Sequence, residues 1–132
     1  MTSPLSIVLF SGTDDRLHAA ATLVAGAAAM GRPVNLLLQF WALEAFRADR
    51  IGRAPRLALE ADQEASRDPA ALPWVDTFRM ARELGEVSIR ACSGSLDYLH
   101  LDVTQLDPMV DGAAGIAAFM ADVGDDGSVT FI

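Results

Sequence analysis

The sequence predicts an α/β fold built on a parallel sheet. Two short apolar runs, Leu5 to Phe10 and Val34 to Phe40, flank a segment whose apolar residues recur every three or four positions. A similar helix-to-strand succession returns ahead of Cys92, and another precedes the end of the chain. Continuous apolar runs suit strands buried on both faces, and strand, helix and strand in close succession fit a βαβ unit with a right-handed crossover.

Strand one is bounded by Pro4 and the Ser11-Gly12 turn signal. The first helix starts at Asp14 and Asp15, which suit its N-terminus, and carries Leu17, Ala20, Ala21, Val24, Ala27 and Ala28 on one face. Gly31 and Pro33 predict its end near Met30. Strand two, Val34 to Phe40, follows at once.

Between Trp41 and Ala71 periodicity is weak, and we expect a partly helical, exposed excursion. Its Arg47, Arg50, Arg53 and Arg56 read as a solvated face balanced by Glu60, Asp62 and Glu64. A helix from Pro73 to Leu84 presents Trp74, Val75, Phe78, Ala81 and Leu84, with Gly85 as its stop. Then come a strand from Val87 to Ala91, a helical stretch from Ser93 towards Leu101, and a helix from Gly112 to Val123. A tight acidic turn at Gly124 to Gly127 leads to a last strand from Ser128 to Ile132.

The 132 residues, 52% hydrophobic, suit one domain spanning 1–132 with a core that needs neither disulfide nor metal. A net charge of −8 disfavours nucleic acid, whose binding relies on basic side chains displacing counterions. The longest apolar stretches, Ala19 to Met30 and Ala113 to Met120, are shorter than the ~20 residues of a membrane-spanning helix. One cysteine cannot form an intramolecular disulfide, and MTSPLSIVLF lacks the features of a secretory signal, so the expected setting is the cytoplasm.

In parallel sheets ligands bind beyond the carboxyl ends of the strands. Three segments fall there: Ser11-Gly12-Thr13, Phe40-Trp41 and Cys92-Ser93-Gly94-Ser95. Cys92 stands where a strand passes into a helix, whose first N–H groups favour a thiolate. Arg90, two residues earlier, shares its strand face and offers a second favourable charge. The opposing reading is a small buried hydrophobe, and the small polar neighbours Ser93, Gly94 and Ser95 favour an accessible thiol instead.

Asp14 and Asp15 weigh against a phosphate-binding loop at Ser11 to Thr13, and no dinucleotide or P-loop fingerprint occurs, so no cofactor is expected. His18 and His100 have no metal-ligand spacing with Cys92, and no metal is expected. Asp97 either interacts with the first turn after Cys92 or faces solvent. Trp41 either joins the core or walls a pocket beside the cysteine.

The stretch Gly85-Glu86-Val87-Ser88-Ile89-Arg90-Ala91-Cys92-Ser93-Gly94-Ser95-Leu96-Asp97 resembles the DsrE/DsrF-like sulfur-relay superfamily, nearest its DsrE2-like branch with an Ala-Cys-x-x-Ser-x-Asp motif. Phe40-Trp41-Ala42-Leu43 is similar to the Phe-Trp-Gly segment of that family, and the element order matches over nearly the whole chain. Gly94 replaces a larger residue of the motif, often methionine, and Ala42 replaces its glycine. The resemblance implies a flavodoxin-like three-layer α/β/α sandwich on a mainly parallel five-stranded sheet. It further implies a trimer or hexamer, and a Cys92 that takes sulfur from a donor protein as a persulfide and passes it to an acceptor. The residues alone leave two other roles open: a ligand or interaction module with an inert cysteine, and a thiol redox sensor.

Overall fold

The computed structural model describes residues 3–53, 56 and 73–132. Strands β1 (Leu5–Leu9), β2 (Val34–Leu38), β3 (Val87–Cys92), β4 (Gly112–Ala114) and β5 (Val129–Phe131) form one sheet in the order β4-β3-β2-β1-β5. Its pairings are all parallel. Helices α1 (Asp14–Ala29), α2 (Phe40–Ala45), α3 (Trp74–Leu84), α4 (Ser93–Leu99) and α5 (Ile116–Val123) complete the expected three-layer, flavodoxin-like sandwich.

The strand order dictates the layers. From β1 to β4 the chain steps steadily across the sheet, so crossovers of one hand place α1 and α3 on the same face. The return from β4 to β5 reverses direction and sends α5 across the opposite face. Because side chains alternate along a strand, Ile7, Leu9, Leu36, Leu38, Ile89 and Ala91 join the core with α1 and α3. Val8, Leu37, Cys92 and Ala114 join Phe119 and Val123 of α5 in a second, smaller core.

The first face is the thicker. Alanines 20, 21 and 28 of α1 are buried and let neighbouring backbone come near. A β-carbon on Gly85, at the end of α3, would lie 3.0 Å from the Ala28 carbonyl oxygen. Gly85 ends α3 as expected, and with an extended φ of −161° it does so through this close approach and not through the left-handed conformation. Gly31, just past α1, does take the left-handed conformation, with φ of 76°. Phe46, Trp74 and Phe78 stack edge-on and tilted, their ring centroids 5.1 to 5.9 Å apart.

Two boundaries differ from expectation. Strand two ends at Leu38, and Phe40 opens α2. The helix expected over Gly112 to Val123 is divided: Gly112–Ala114 forms the edge strand β4, and α5 begins at Ile116. Alanine suits a helix by itself, but β3 offers Gly112, Ala113 and Ala114 a ladder beside Arg90, Ala91 and Cys92. In the excursion, Arg47 pairs with Asp49 at 2.9 Å and Glu44 at 3.3 Å. Glu60, Asp62 and Glu64 lie outside the described residues. No helix among the described residues is long and apolar enough to cross a membrane.

Candidate functional site

The carboxyl ends of β1, β2 and β3 bring the three expected segments together. In the loop after β1, the Ser11 and Thr13 hydroxyl oxygens are 3.0 Å apart, and the Thr13 N–H donates to Ser11 Oγ at 3.2 Å. Thr13 stands at the N-cap of α1. Its hydroxyl, hydrogen-bonded to Asp15, holds that carboxyl below the usual aspartate range. This end of α1 is thus already supplied with negative charge, as the sequence suggested when it weighed against a phosphate loop.

Gly12 is fixed by contact. A β-carbon there would lie 2.4 Å from the Trp41 carbonyl oxygen, so the loops after β1 and β2 meet backbone to backbone. Phe40, between Gln39 and Trp41, has φ of 42°, a conformation that a bulky residue adopts only when its surroundings impose it. The imposing contacts are visible: the Gln39 N–H donates to Leu9 O at 2.9 Å and the Ala42 N–H to Phe10 O at 3.1 Å. The Phe40 ring packs 5.2 Å from Phe10 and 5.2 Å from Tyr98 of α4, and Phe10 packs 5.6 Å from Phe131 of β5. An aromatic wall therefore runs over the strand ends, with Tyr98 70% and Phe131 66% exposed. Trp41 is 43% exposed, and the Arg56 guanidinium lies 5.6 Å from its ring centroid.

Cys92 is the last residue of β3 and the N-cap of α4, the junction read from the sequence. Its side chain turns towards the α5 face, where the residue is 7% exposed and belongs to the cluster of Val8, Leu37, Ala114, Phe119 and Val123. The open access suggested by Ser93, Gly94 and Ser95 is thus corrected: α5 roofs the sulfur. Ser93 and Gly94 are exposed beside it, whereas Ser95 is buried at 2% and its Oγ has no hydrogen-bond partner among the described residues. Asp97 is exposed on α4 and takes the solvent-facing role.

The polar group that does meet the sulfur is Gln39, whose side-chain amide donates to Cys92 Sγ at 3.8 Å. Leu38 pairs with Ala91, so the residue after each falls on the same row of the sheet. Gln39 is, with Asn35, one of two polar residues in the mainly apolar Val34 to Phe40 run, the one signal of it in the sequence.

Arg90 shares the face of Cys92 but has a different partner from the one expected. Its Nη2 donates to Asp122 Oδ2 of α5 at 2.6 Å and to Asn35 Oδ1 at 3.1 Å. The positive charge assigned to the sulfur is therefore neutralised by a carboxylate carried over β3 on α5. A cleft of about 440 Å³ at the amino ends of the strands runs beside this pair, between Pro4, Pro33, Asn35, Ser88 and Asp122.

No protein-family model matches the chain. The solved structure of the protein of unknown function MTH1491 from Methanobacterium thermoautotrophicum superposes with a TM-score of 0.66 over 99% of this chain and 100% of that one. At 13% identity the likeness is one of fold. In sequence, the chain is 30% identical to the uncharacterized protein YrkE of Bacillus subtilis (strain 168) over 155 aligned positions, covering 97% of this chain and 95% of that protein. By that identity over nearly the full length of both, the chain belongs to the family of YrkE.

Proposed function

We propose that the protein is a sulfur carrier of the DsrE/DsrF-like kind in which Cys92 holds the transferred sulfur. The observation that carries this reading is the hydrogen bond from Gln39 to a sulfur placed at a strand-to-helix junction. A neutral amide donor of this kind gives a thiolate, and later a persulfide anion, a hydrogen bond in surroundings that are otherwise hydrocarbon. In the forward step the Cys92 thiolate attacks the outer sulfur of a donor persulfide. A new S–S bond forms at Cys92, the S–S bond of the donor breaks, and the donor leaves as a thiolate with the electron pair. Attack by an acceptor thiolate on the outer sulfur then returns Cys92 as a thiolate, with no net oxidation.

The partners of this reading are a donor and an acceptor protein, and its setting is the cytoplasm, where a lone thiol stays reduced. Assembly as a trimer or hexamer belongs to the same proposal. It is supported by Ile116, Met120 and Phe131, which are 52%, 50% and 66% exposed along α5 and β5. Light scattering that shows a monomer at working concentration removes the assembly.

Intact-mass measurement after treatment with a low-molecular-weight persulfide tests the carrier. One added sulfur on the wild type and none on Cys92→Ser is the expected result. Equal labelling of both proteins ends the proposal. The 7% exposure of Cys92 among Val8, Leu37 and Phe119 favours a second reading, a binding module with an inert thiol. That reading predicts a wild type that takes up no sulfur.

A further inference from the structure

A sulfur carrier must meet its donor, yet the Cys92 sulfur lies in the small core beneath α5. The helix is held lightly. Phe119 and Val123 are its buried residues, while Ile116 and Met120 remain half-exposed. The Asp122 to Arg90 contact, at 2.6 Å, is the one side-chain hydrogen bond that ties α5 to the sheet among the described residues. The helix is entered from β4 through the single residue Gly115 and left through Gly124, which stands in positive φ at 81°. Beyond them β4 and β5 are anchored in the ladder beside β3 and β1. The cleft lined by Asn35, Ser88 and Asp122 undercuts the end of α5 that bears the ion pair.

We propose that Asp122 is the residue that controls access to Cys92: its ion pair with Arg90 fastens α5 over the sulfur, and the thiol is reached when this fastening opens and α5 swings away from the sheet. Asp122 acts through the helix and never touches the reacting atoms, so it is a positioning residue. The ion pair lies at the cleft with Asp122 56% exposed, so salt screens it and opening rises with ionic strength. A partner that displaces α5 by docking on Ile116 and Met120 would have the same effect. The inference rests on the carrier reading for its biological meaning, but its test requires no sulfur donor.

Because Cys92 is the single cysteine, intact mass after exposure to a neutral alkylating reagent reports that residue alone, and rates followed across pH to their fully ionised plateau separate its access from its thiolate fraction. A tie of up to about 1 kcal/mol corresponds to roughly two- to fivefold in the opened population. Asp122→Asn is therefore expected to label two to five times faster than the wild type, with a denaturation midpoint lowered only slightly, by no more than the loss of that same tie. Asp122→Glu, which keeps a carboxylate for Arg90, is expected to restore slow labelling. Added salt is expected to speed the wild type and leave Asp122→Asn unaffected. Equal rates for wild type and Asp122→Asn overturn the inference. So does labelling whose dependence on low denaturant matches global unfolding, because a local opening exposes little surface. If Asp122→Asn does not fold, the wild-type salt series decides, and a rate indifferent to salt overturns the inference. Labelling that follows these expectations without any persulfide uptake would leave Asp122 as the gate and remove the carrier.

Discussion

The two faces of the sheet are built to different standards. On one, α1 and α3 pack against each other and against Ile7, Leu36 and Ile89, with Phe46 and Phe78 wholly buried. On the other, α5 alone covers Val8, Leu37 and Cys92. Both faces come from the same alternating strands, so the difference lies in the return of the chain from β4 to β5, which supplies one short helix. The thick face provides stability, and the thin face places a sulfur under a cover that one ion pair fastens.

Truncation of matched phenylalanines separates these roles. Phe78→Ala on the thick face is expected to cost about 3 to 5 kcal/mol, because the hole lies between two helices and the sheet and cannot collapse. Phe119→Ala removes an equally buried ring from the thin face, where α5 can settle towards the sheet, so its cost falls at or below about 3 kcal/mol. Its alkylation of Cys92 should nevertheless quicken far more than that of Phe78→Ala. Denaturant midpoints and thiol labelling of both variants check the contrast, and equal losses with equal labelling would erase the distinction between the faces.

A smaller effect concerns the junction that joins the faces at the strand ends. Gly12→Ala would place its methyl 2.4 Å from the Trp41 carbonyl oxygen, which is backbone and must move. We expect a cost of about 1 to 3 kcal/mol, in the range of overpacking. The displaced loop carries Gln39 away from Cys92, so uptake of sulfur from a persulfide should fall even where the variant remains folded. Stability and uptake equal to wild type would show that the contact between the two loops is dispensable.

These residues also mark how much was legible beforehand. The βαβ units could be read because β1 and β2 are continuous apolar runs around a helix with a clear stop. Cys92 could be placed at a strand-to-helix junction because period two and turn residues are local signals. Gln39 could not be paired with it, since that requires the β2 to β3 register, which tertiary packing sets. Arg90 was assigned the right face by the same period, but its partner Asp122 is 32 residues away on an otherwise apolar helix. The three residues of β4 were hidden for a related reason: Gly112-Ala113-Ala114 has no strand preference, and β3 supplies its conformation from outside. Trp41 gave a side chain of either role, and its 43% exposure follows from the Gly12 contact that turns the loop outward.

The mildest expected effect lies at the border between the faces. The Asp111 carboxylate, at the start of β4, takes two hydrogen bonds from Arg82 of α3, at 2.7 and 2.8 Å, and one from the Ile89 N–H at 2.8 Å. Burial pushes this carboxyl up, but the Arg82 guanidinium, the Ile89 N–H and the charges of Arg82 and Arg90 outweigh it, and the group sits below the ordinary aspartate range. A depressed carboxyl contributes stability that is present above its unfolded value and is lost as pH falls through the folded one. Asp111→Asn keeps an acceptor for Ile89 and loses the charge. Its cost at neutral pH should be about 1 kcal/mol, held down because the pair is partly solvated. The difference from wild type should then start to shrink as pH falls past the ordinary aspartate value and vanish only below the lower one of the folded carboxyl. Denaturant midpoints of both proteins at neutral and acid pH measure this, and a difference that stays constant across the range would mean that the carboxylate acts by shape and not by charge.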